Sequence, residues 1–246
     1  MPHTLIETQN LGKQFRGPHG AVILAVDGIN FRCQPGQVYG LLGANGAGKT
    51  TTLRMLATLL EPSCGSAQVA GHDIRRDPAA VRRSIGFLSA ATALYGRLTA
   101  REMTEYFGRL HGLEDAALRS RVQEVFARLE IDFADQRCDT LSTGMKQKVS
   151  IARTLVHDPA VMIFDEPTLG LDVMTSRAIV GFIRDCRTRG KTVIFSTHVM
   201  SEAEKLCDTI GIIHHARLVA EGTLDQLRAR YQKRDLEEIF VSAVES

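Results

Sequence analysis

One stretch limits the possible folds of this chain more than any other. A short apolar run, Val38–Leu42, leads directly into the glycine-rich loop Gly43–Thr51, and a helix-forming segment begins near Lys49. The loop fits the phosphate-binding pattern G-x-x-x-x-G-K-[ST], in which the lysine reaches the β- and γ-phosphates and the next hydroxyl, here Thr50, ligates magnesium. Its glycines let backbone N–H groups turn toward phosphate oxygens, and the helix adds its positive dipole end. A chance match is disfavoured by the strand before the loop and the helix after it. We therefore predict a nucleoside triphosphate site that includes Gly43, Asn45, Gly46, Ala47, Gly48, Lys49, Thr50 and Thr51.

The composition is that of an ordinary globular protein. The chain has 246 residues, of which 44% are hydrophobic and 24% charged, enough to bury a substantial core. A net charge of +2 without a strongly basic block gives no indication of a nucleic-acid partner. No signal peptide pattern and no apolar run of ~18 residues are present, so we expect no membrane span. Five scattered cysteines without CxxC spacing predict reduced thiols in a cytosolic protein: Cys33, Cys64, Cys138, Cys186 and Cys207.

The order of the predicted elements indicates an α/β protein, with a P-loop NTPase core, a mostly parallel sheet, an antiparallel β subdomain and an inserted helical subdomain. The antiparallel part is predicted to turn at Asp27-Gly28, and the helix after the loop to cover Lys49–Leu60. The helical part contains a capping box at Thr99–Glu102. The predicted boundaries are 1–89 for the first part of the nucleotide-binding core with the antiparallel subdomain, 90–157 for the helical subdomain, 158–222 for the second part of the core and 223–246 for a C-terminal helical tail.

Two carboxylates follow a second buried strand. The apolar run Val161–Phe164 ends in Asp165 and Glu166. An open parallel sheet binds its ligand at the carboxyl ends of its strands, which is where this pair is delivered. Asp165 suits a magnesium ion held through water, and Glu166 can orient or deprotonate an attacking water. A surface Asp-Glu pair alone would be weak evidence, but behind such a strand and a phosphate loop it predicts hydrolysis.

Two ring side chains are candidates for the same site, each with a plain alternative. His198 follows the strand that ends in Phe195-Ser196-Thr197, where a donor could contact the γ-phosphate, although a histidine after a strand is more often a local cap. Phe15 lies just before the loop at Gly17–Gly20. It is equally compatible with a core residue and with an aromatic that stacks on a base.

With these residues the sequence resembles the ATP-binding subunit of an ABC transporter, along nearly its whole length. The matching motifs are the phosphate loop, the segment Leu141–Gln147, the run Asp165–Thr168, the run Leu169–Asp172 and His198. In that family Leu141–Gln147 is the signature motif, normally LSGGQ, and here it reads LSTGMKQ. Ser142 and the N–H of Gly144 still offer donors to a γ-phosphate at a helix start.

The resemblance implies an ABC ATPase fold and a role for each motif. Two such subunits, either two copies or a copy and a homologous ATPase subunit, would pack head to tail, each ATP lying between the phosphate loop of one and the signature helix of the other. Leu169–Asp172 would cross that interface, with Asp172 among the nucleotide-binding residues. Glu166 would be the catalytic base, Asp165 and Thr50 would support Mg²⁺, His198 would contact the γ-phosphate, and Phe15 would stack on the adenine.

One departure from the family concerns the residue after the strand Ile85–Leu88. A glutamine that touches magnesium and signals to the membrane partner is expected there, and the aligned position is Ala90. An alanine side chain cannot ligate a metal or hold a water. Ser89 or Thr92 is a possible substitute, and the sequence does not decide between them.

Three further stretches, within Ile85–Glu102, Leu141–Lys148 and Asp235–Glu245, resemble ATPase subunits that serve ABC-2 type export permeases, most of all the sodium-extrusion (NatA-like) type. This implies an integral membrane permease as partner, no nucleic acid, and a cytoplasmic, peripheral position on the inner face of the cell membrane. Sodium or drug export is the implied activity. A soluble ABC ATPase acting on ribosomes or DNA is one alternative, and a regulatory ATP-binding subunit with weak hydrolysis is another.

Overall fold

The computed structural model describes residues 5–17, 20–89 and 93–245. The chain divides into two compact units. The first combines the residues up to Ile85 with those from Ala160 onward, and the second, a helical unit, comprises Gly86–Pro159. Strand β7 (Ile85–Ser89) spans the boundary between the two.

A largely parallel sheet forms the centre of the first unit. Its strands are β4 (Val38–Leu42), β8 (Val161–Asp165), β9 (Thr192–Thr197), β10 (Thr209–His214) and β11 (Arg217–Gly222). Their order is β11-β10-β4-β9-β8, with only β11 antiparallel to its neighbour. Strands β4, β8 and β9 are buried at every residue, as continuous apolar runs in a sheet covered on both faces require. The carboxyl ends of β4, β8 and β9 therefore meet at one edge.

A second, antiparallel sheet belongs to the same unit. It contains β1 (Ile6–Arg16), β2 (Val22–Ile29), β3 (Arg32–Cys33), β5 (Cys64–Val69) and β6 (His72–Asp73). The order is β2-β1-β5-β6, and β3 also pairs with β1. The predicted turn at Asp27-Gly28 is wrong, because both residues lie within β2. Gly28 has a positive φ of 58° there, and irregular pairing of β1 with β2 between Leu11 and Gln14 absorbs the departure from a regular ladder.

The helices of the first unit are α1 (Lys49–Leu56), α2 (Pro78–Ser84), α6 (Val173–Thr188), α7 (Met200–Leu206), α8 (Leu224–Tyr231) and α9 (Leu236–Glu245). The prediction that the first helix reaches Leu60 is wrong. Thr58 adopts a left-handed φ of 57°, and the N–H groups of Leu59 and Leu60 both turn back to the carbonyl of Arg54. The closing helix α9 packs Leu236, Ile239 and Ala243 onto the buried cluster around β10.

The helical unit contains α3 (Ala100–Leu110), α4 (Asp115–Arg128) and α5 (Thr143–Leu155), which pack on one another. The predicted capping box is confirmed: the Thr99 hydroxyl accepts a hydrogen bond from the N–H of Glu102 at 3.1 Å, and the N–H of Thr99 donates to the Glu102 carboxylate at 2.8 Å. These contacts lower the pKa of Glu102, chiefly because its carboxylate accepts the backbone N–H of Thr99. Within the described parts of the chain, no helix is both long and apolar enough to cross a bilayer.

Candidate nucleotide site

The loop between β4 and α1 has the shape that phosphate binding needs. Gly48 has φ at 114°, and a Cβ at this position would collide with the carbonyl oxygen of Ala25. A Cβ at Gly43 would collide with the carbonyl oxygen of Ile213. Of the other predicted loop residues, Asn45 and Gly46 are exposed, Ala47 is buried and Thr51 lies half-buried in α1. Neighbouring backbone therefore closes one side of the loop at Gly43 and Gly48, and the loop is open to solvent at Asn45 and Gly46.

Lys49 is the buried cation of this loop. Only 5% of its side chain is exposed. The ammonium group donates to the carbonyl oxygens of Gly43 at 2.7 Å and Ala44 at 3.2 Å, and lies 3.1 Å from a carboxylate oxygen of Glu166. A buried ammonium group needs such partners, because its desolvation is otherwise uncompensated. The contact also joins the phosphate loop to the predicted catalytic carboxylate.

A hydroxyl–carboxylate network links α1, β8 and β9. The Thr50 hydroxyl donates to Asp165 Oδ1 at 2.8 Å, and the Ser196 hydroxyl donates to the same oxygen at 3.0 Å. Asp165 and Ser196 are direct partners in the parallel register of β8 and β9. The two predicted metal ligands, Thr50 at the start of α1 and Asp165 at the end of β8, are therefore in direct contact.

Glu166 is held from several directions. Its φ of 49° lies in the left-handed region, which is uncommon outside glycine, and its N–H donates to Ser196 Oγ at 2.9 Å. The second carboxylate oxygen lies 2.7 Å from Nδ1 of His198, while the first faces Lys49. The Glu166 side chain is 13% exposed, whereas that of His198 is 43% exposed. The three predicted residues Lys49, Glu166 and His198 thus form one cluster at the carboxyl ends of the strands.

The donor set at this edge fits a hard cation bound together with phosphates. Mg²⁺ prefers oxygen ligands and is usually held by one or two carboxylates plus substrate phosphates. Thr50 and Asp165 supply a hydroxyl and a carboxylate side by side. Across the described residues no group of three or more His, Cys, Asp or Glu side chains is arranged to hold a metal ion. The arrangement fits a cation completed by phosphate oxygens.

Phe15 lies near the end of β1, opposite Ile23 of β2. Its ring is 38% exposed, so it is not a core residue. The ammonium group of Lys13 lies 5.3 Å from the ring centroid, a cation–π contact on that aromatic surface. An exposed ring of this kind is able to stack on a base.

Two further predicted residues, Ser142 and Asp172, are N-caps of helices. Ser142 is exposed and its hydroxyl accepts the N–H of Met145 at 3.3 Å; Gly144 follows in the first turn of α5. Asp172 is exposed and caps α6 by accepting the N–H groups of Met174 and Thr175 and the Thr175 hydroxyl. The Thr175 hydroxyl is the main reason why the pKa of Asp172 is lowered. Each cap fixes a helix start whose remaining N–H groups point outward.

The position aligned with the missing glutamine, Ala90, lies outside the described residues, as does Thr92. Ser89 is the last residue of β7.

Sequence reasoning missed two residues of the cluster. Ser196 connects Asp165 to the N–H of Glu166. Glu202 in α7 accepts hydrogen bonds from Thr168, in the loop after β8, and from Thr197, the last residue of β9. Neither a hydroxyl at a strand end nor a glutamate on a short helix belongs to a sequence motif. The only available signal was the expectation that β8 and β9 lie close together.

Comparison with known proteins assigns the chain to a family. The sequence model of the ABC transporter family matches residues 26–169. The chain is 43% identical over 223 residues to the ABC transporter ATP-binding protein NatA of Bacillus subtilis (strain 168), an alignment covering 90% of this chain and 91% of that protein. It is 40% identical to the Nod factor export ATP-binding protein I of Paraburkholderia xenovorans (strain LB400), with 98% and 78% covered. It is 39% identical to the daunorubicin/doxorubicin resistance ATP-binding protein DrrA of Streptomyces peucetius, with 93% and 68% covered.

Solved structures agree with this assignment. An ATP-binding subunit of an ABC transporter superimposes with a TM-score of 0.85 at 30% identity, covering 98% of this chain and 99% of that one. A dimeric ATP-binding cassette in a post-hydrolysis state, bound to ADP and Pi, superimposes with a TM-score of 0.80 at 25% identity, covering 89% and 98%. The predicted α/β fold class of an ABC ATPase is confirmed. The chain therefore belongs to the ABC transporter family, as one of its ATP-binding, ATP-hydrolysing subunits.

Proposed function

We propose that this subunit dimerises head to tail around ATP and Mg²⁺ and drives export through a separate integral membrane permease of the ABC-2 type. The observation that carries the proposal is the cluster of Lys49, Glu166 and His198, with 3.1 Å and 2.7 Å between the charged or polar atoms. It provides a cation, a carboxylate and an imidazole beside an open phosphate loop. These groups suit phosphoryl transfer to water, in which a lysine binds the phosphates and a carboxylate can orient the attacking water.

In this proposal the loop amides and Lys49 bind the phosphates. A triphosphate is a stronger partner for an ammonium group than one carboxylate, because it carries more charge and more acceptor oxygens. We expect Lys49 to exchange Glu166 for phosphate when nucleotide binds, which releases one carboxylate oxygen of Glu166. That oxygen is then available to orient and deprotonate the attacking water.

Thr50 and Asp165 are the residues we propose to hold Mg²⁺, which when bound would neutralise charge on the β- and γ-phosphates. Their support is the 2.8 Å contact between hydroxyl and carboxylate. His198 donates to the γ-phosphate while its Nδ1 side faces Glu166. Phe15 stacks on the adenine, as its exposed ring supports.

The second half of each site comes from the partner subunit. Ser142 and the N–H of Gly144 at the start of α5 are proposed to bind the γ-phosphate across the seam, where the helix dipole favours an anion. Asp172 fixes the start of α6 at the same seam through its three capping contacts with Met174 and Thr175. The partner is either a second copy or a homologous ATPase subunit.

The proposed permease surface belongs to the helical unit, near Phe87–Arg101. Tyr95 and Tyr106 are 58% and 43% exposed and meet edge to face at 6.0 Å, and Leu110 is 63% exposed. Exposed aromatic groups of this kind mark interaction sites. Contact there would hold the subunit on the inner face of the cell membrane.

The names of similar proteins, which include Nod factor export and drug resistance, support export, and we propose sodium or a drug as the cargo.

The experiment is co-expression of the chain with the permease of a neighbouring reading frame and reconstitution of the pair in vesicles. We expect ATP-dependent movement of cargo in the export direction, abolished by Glu166→Gln in the subunit. Crosslinks from the permease are expected at Tyr95 and Tyr106. Transport that persists with Glu166→Gln, or crosslinks that avoid this surface, would contradict the proposal.

A further inference from the structure

Two loops that carry the proposed catalytic groups are joined by one carboxylate. Oε2 of Glu202, in α7, accepts a hydrogen bond from the Thr168 hydroxyl at 3.1 Å and another from the Thr197 hydroxyl at 3.2 Å. Thr168 stands two residues after Glu166, and Thr197 directly precedes His198. Glu202 is half-buried, so these charge-assisted contacts are partly protected from water.

On the downstream side of Glu166, the Leu169 N–H donates to the Glu166 carbonyl within the loop, and Glu202 joins that loop to the end of β9. Ser196 fixes the backbone N–H of Glu166 from the strand side. The Thr197 hydroxyl also accepts the N–H of Val199 at 3.0 Å, which orients its own proton toward Glu202. The carboxylate thus ties the chain beyond Glu166 to the residue before His198.

We propose that Glu202 is a positioning residue for ATP hydrolysis, which sets the separation of Glu166 and His198 by anchoring both of their loops. The inference rests on the proposed roles of Glu166 and His198. The Glu166–His198 contact is 2.7 Å long, and both residues lie on loops beyond strand ends. A displacement on the order of 1 Å at a reacting group costs up to about 10²-fold in rate.

Glu202 does not bind substrate in this account, because Oε2 already accepts two hydroxyls. Its loss should therefore lower kcat and leave nucleotide affinity unchanged. The bonds are also expected to persist partly with an amide oxygen, since glutamine keeps one acceptor at this position. A residue that merely stabilises the fold would show neither pattern.

The test compares Glu202→Ala, Glu202→Gln, Thr168→Val and Thr168→Ser in the full chain. Thr168→Val removes one donor at nearly constant volume, which keeps the test valid if Glu202→Ala folds poorly. Glu204→Ala is the matched control: Glu204 lies on the same helix, but its carboxylate accepts the N–H of Leu236 in α9 at 3.2 Å. The measurements are kcat at saturating Mg-ATP, nucleotide Kd and hydrogen exchange of nucleotide-free protein.

We expect Glu202→Ala to lower kcat about tenfold or more, with Kd within twofold of wild type. Thr168→Val should lower kcat less, and Glu202→Gln and Thr168→Ser should recover most of the rate. Hydrogen exchange should rise in both loops, at residues 166–171 and 197–200, in Glu202→Ala but not in Glu204→Ala. The Glu204 variant should keep wild-type kcat and wild-type exchange in these loops.

Unchanged kcat in Glu202→Ala and Thr168→Val, or unchanged exchange in the two loops, would overturn the inference. An equal loss of kcat in Glu204→Ala would also overturn it, by showing a general effect of α7. The proposed function is tested separately with Glu166→Gln. If that proposal fails, the kcat of Glu166→Gln equals that of wild type. The exchange comparison then still tests whether Glu202 anchors the two loops.

Discussion

The two regions assigned to phosphate binding differ in how complete they are. In the first unit, the loop Gly43–Thr51 faces a network in which Lys49, Asp165 and Glu166 all have partners at 2.7 to 3.2 Å. In the helical unit, Ser142 is exposed and its hydroxyl caps its own helix. One region is assembled within its own unit. The other presents a helix start without an acidic residue in its first turn.

This difference teaches how a nucleotide can control association. The assembled region can bind ATP in a single subunit, because its charges are already placed. The exposed helix start gains a charged partner only when a γ-phosphate is presented to it. Residues of the first region should therefore set nucleotide affinity, and residues of the second should act only across the seam. A variant that changes both properties together would break this separation.

The largest effect is expected from Glu166→Gln. Loss of a general base lowers rates by about 10²- to 10⁴-fold, and the phosphate contacts of the assembled region stay whole. We expect phosphate release to fall by this factor while ATP affinity is retained, measured by a coupled assay and by titration calorimetry. A rate near that of wild type would remove Glu166 from the chemistry.

Lys49→Ala should act on binding. A charge-assisted contact contributes ~1.5–3 kcal/mol, or about 10- to 150-fold in Kd. The variant also leaves Glu166, 13% exposed, without its ammonium partner, so the nucleotide-free protein should melt at a lower temperature. Lys148→Ala, which removes a half-buried lysine of the helical unit, is the control. Equal ATP affinity in both variants would exclude Lys49 from the site.

Ser142→Ala tests the exposed region. Removal of the N-cap costs about 1 kcal/mol of stability, and loss of a donor across the seam should lower kcat about tenfold. Affinity for ATP in the monomer should not change. Thr223→Ala removes the cap of α8 and is the matched control. A similar fall in kcat for both variants would assign the effect to folding.

The smallest effect concerns acid stability of the helical unit. The folded pKa of Glu102 lies below its ordinary value, so its contribution is present above the unfolded pKa and is lost as the pH falls through the folded pKa. Glu102→Gln should flatten the decline of melting temperature below about pH 4.5. Glu105→Gln, on the same helix, serves as the control. If the melting temperatures of wild type and Glu102→Gln fell equally with pH below about 4.5, this prediction would be contradicted.

Local patterns predicted much of the fold and most of the site. The apolar run Val161–Phe164 predicted a buried strand, and the structure extends it by one residue, to Asp165. The strand expected to end at Thr197, before His198, is observed as Thr192–Thr197. The loop pattern also predicted a helix start at Lys49, as observed. These features depend on near neighbours in the chain, which a sequence displays directly.

The rest depended on contacts between distant residues. Ser196 acquires its role only because the parallel register sets it opposite Asp165. Glu202 acquires its role through hydroxyls 34 and 5 residues away. The turn expected at Asp27-Gly28 was wrong because β2 continues through both residues to Ile29, which pairs with Leu11 of β1. At these two positions the pairing of the rest of β2 with β1 outweighed the local preference for a turn.

The most direct test is the mass of the Glu166→Gln protein in solution with and without Mg-ATP. The account predicts 27.0 kDa particles without nucleotide and particles of twice that mass with it, and a return to the smaller mass when Ser142→Arg blocks the helix start. A mass of 27.0 kDa at saturating Mg-ATP would contradict the claim that two copies of this subunit share each nucleotide.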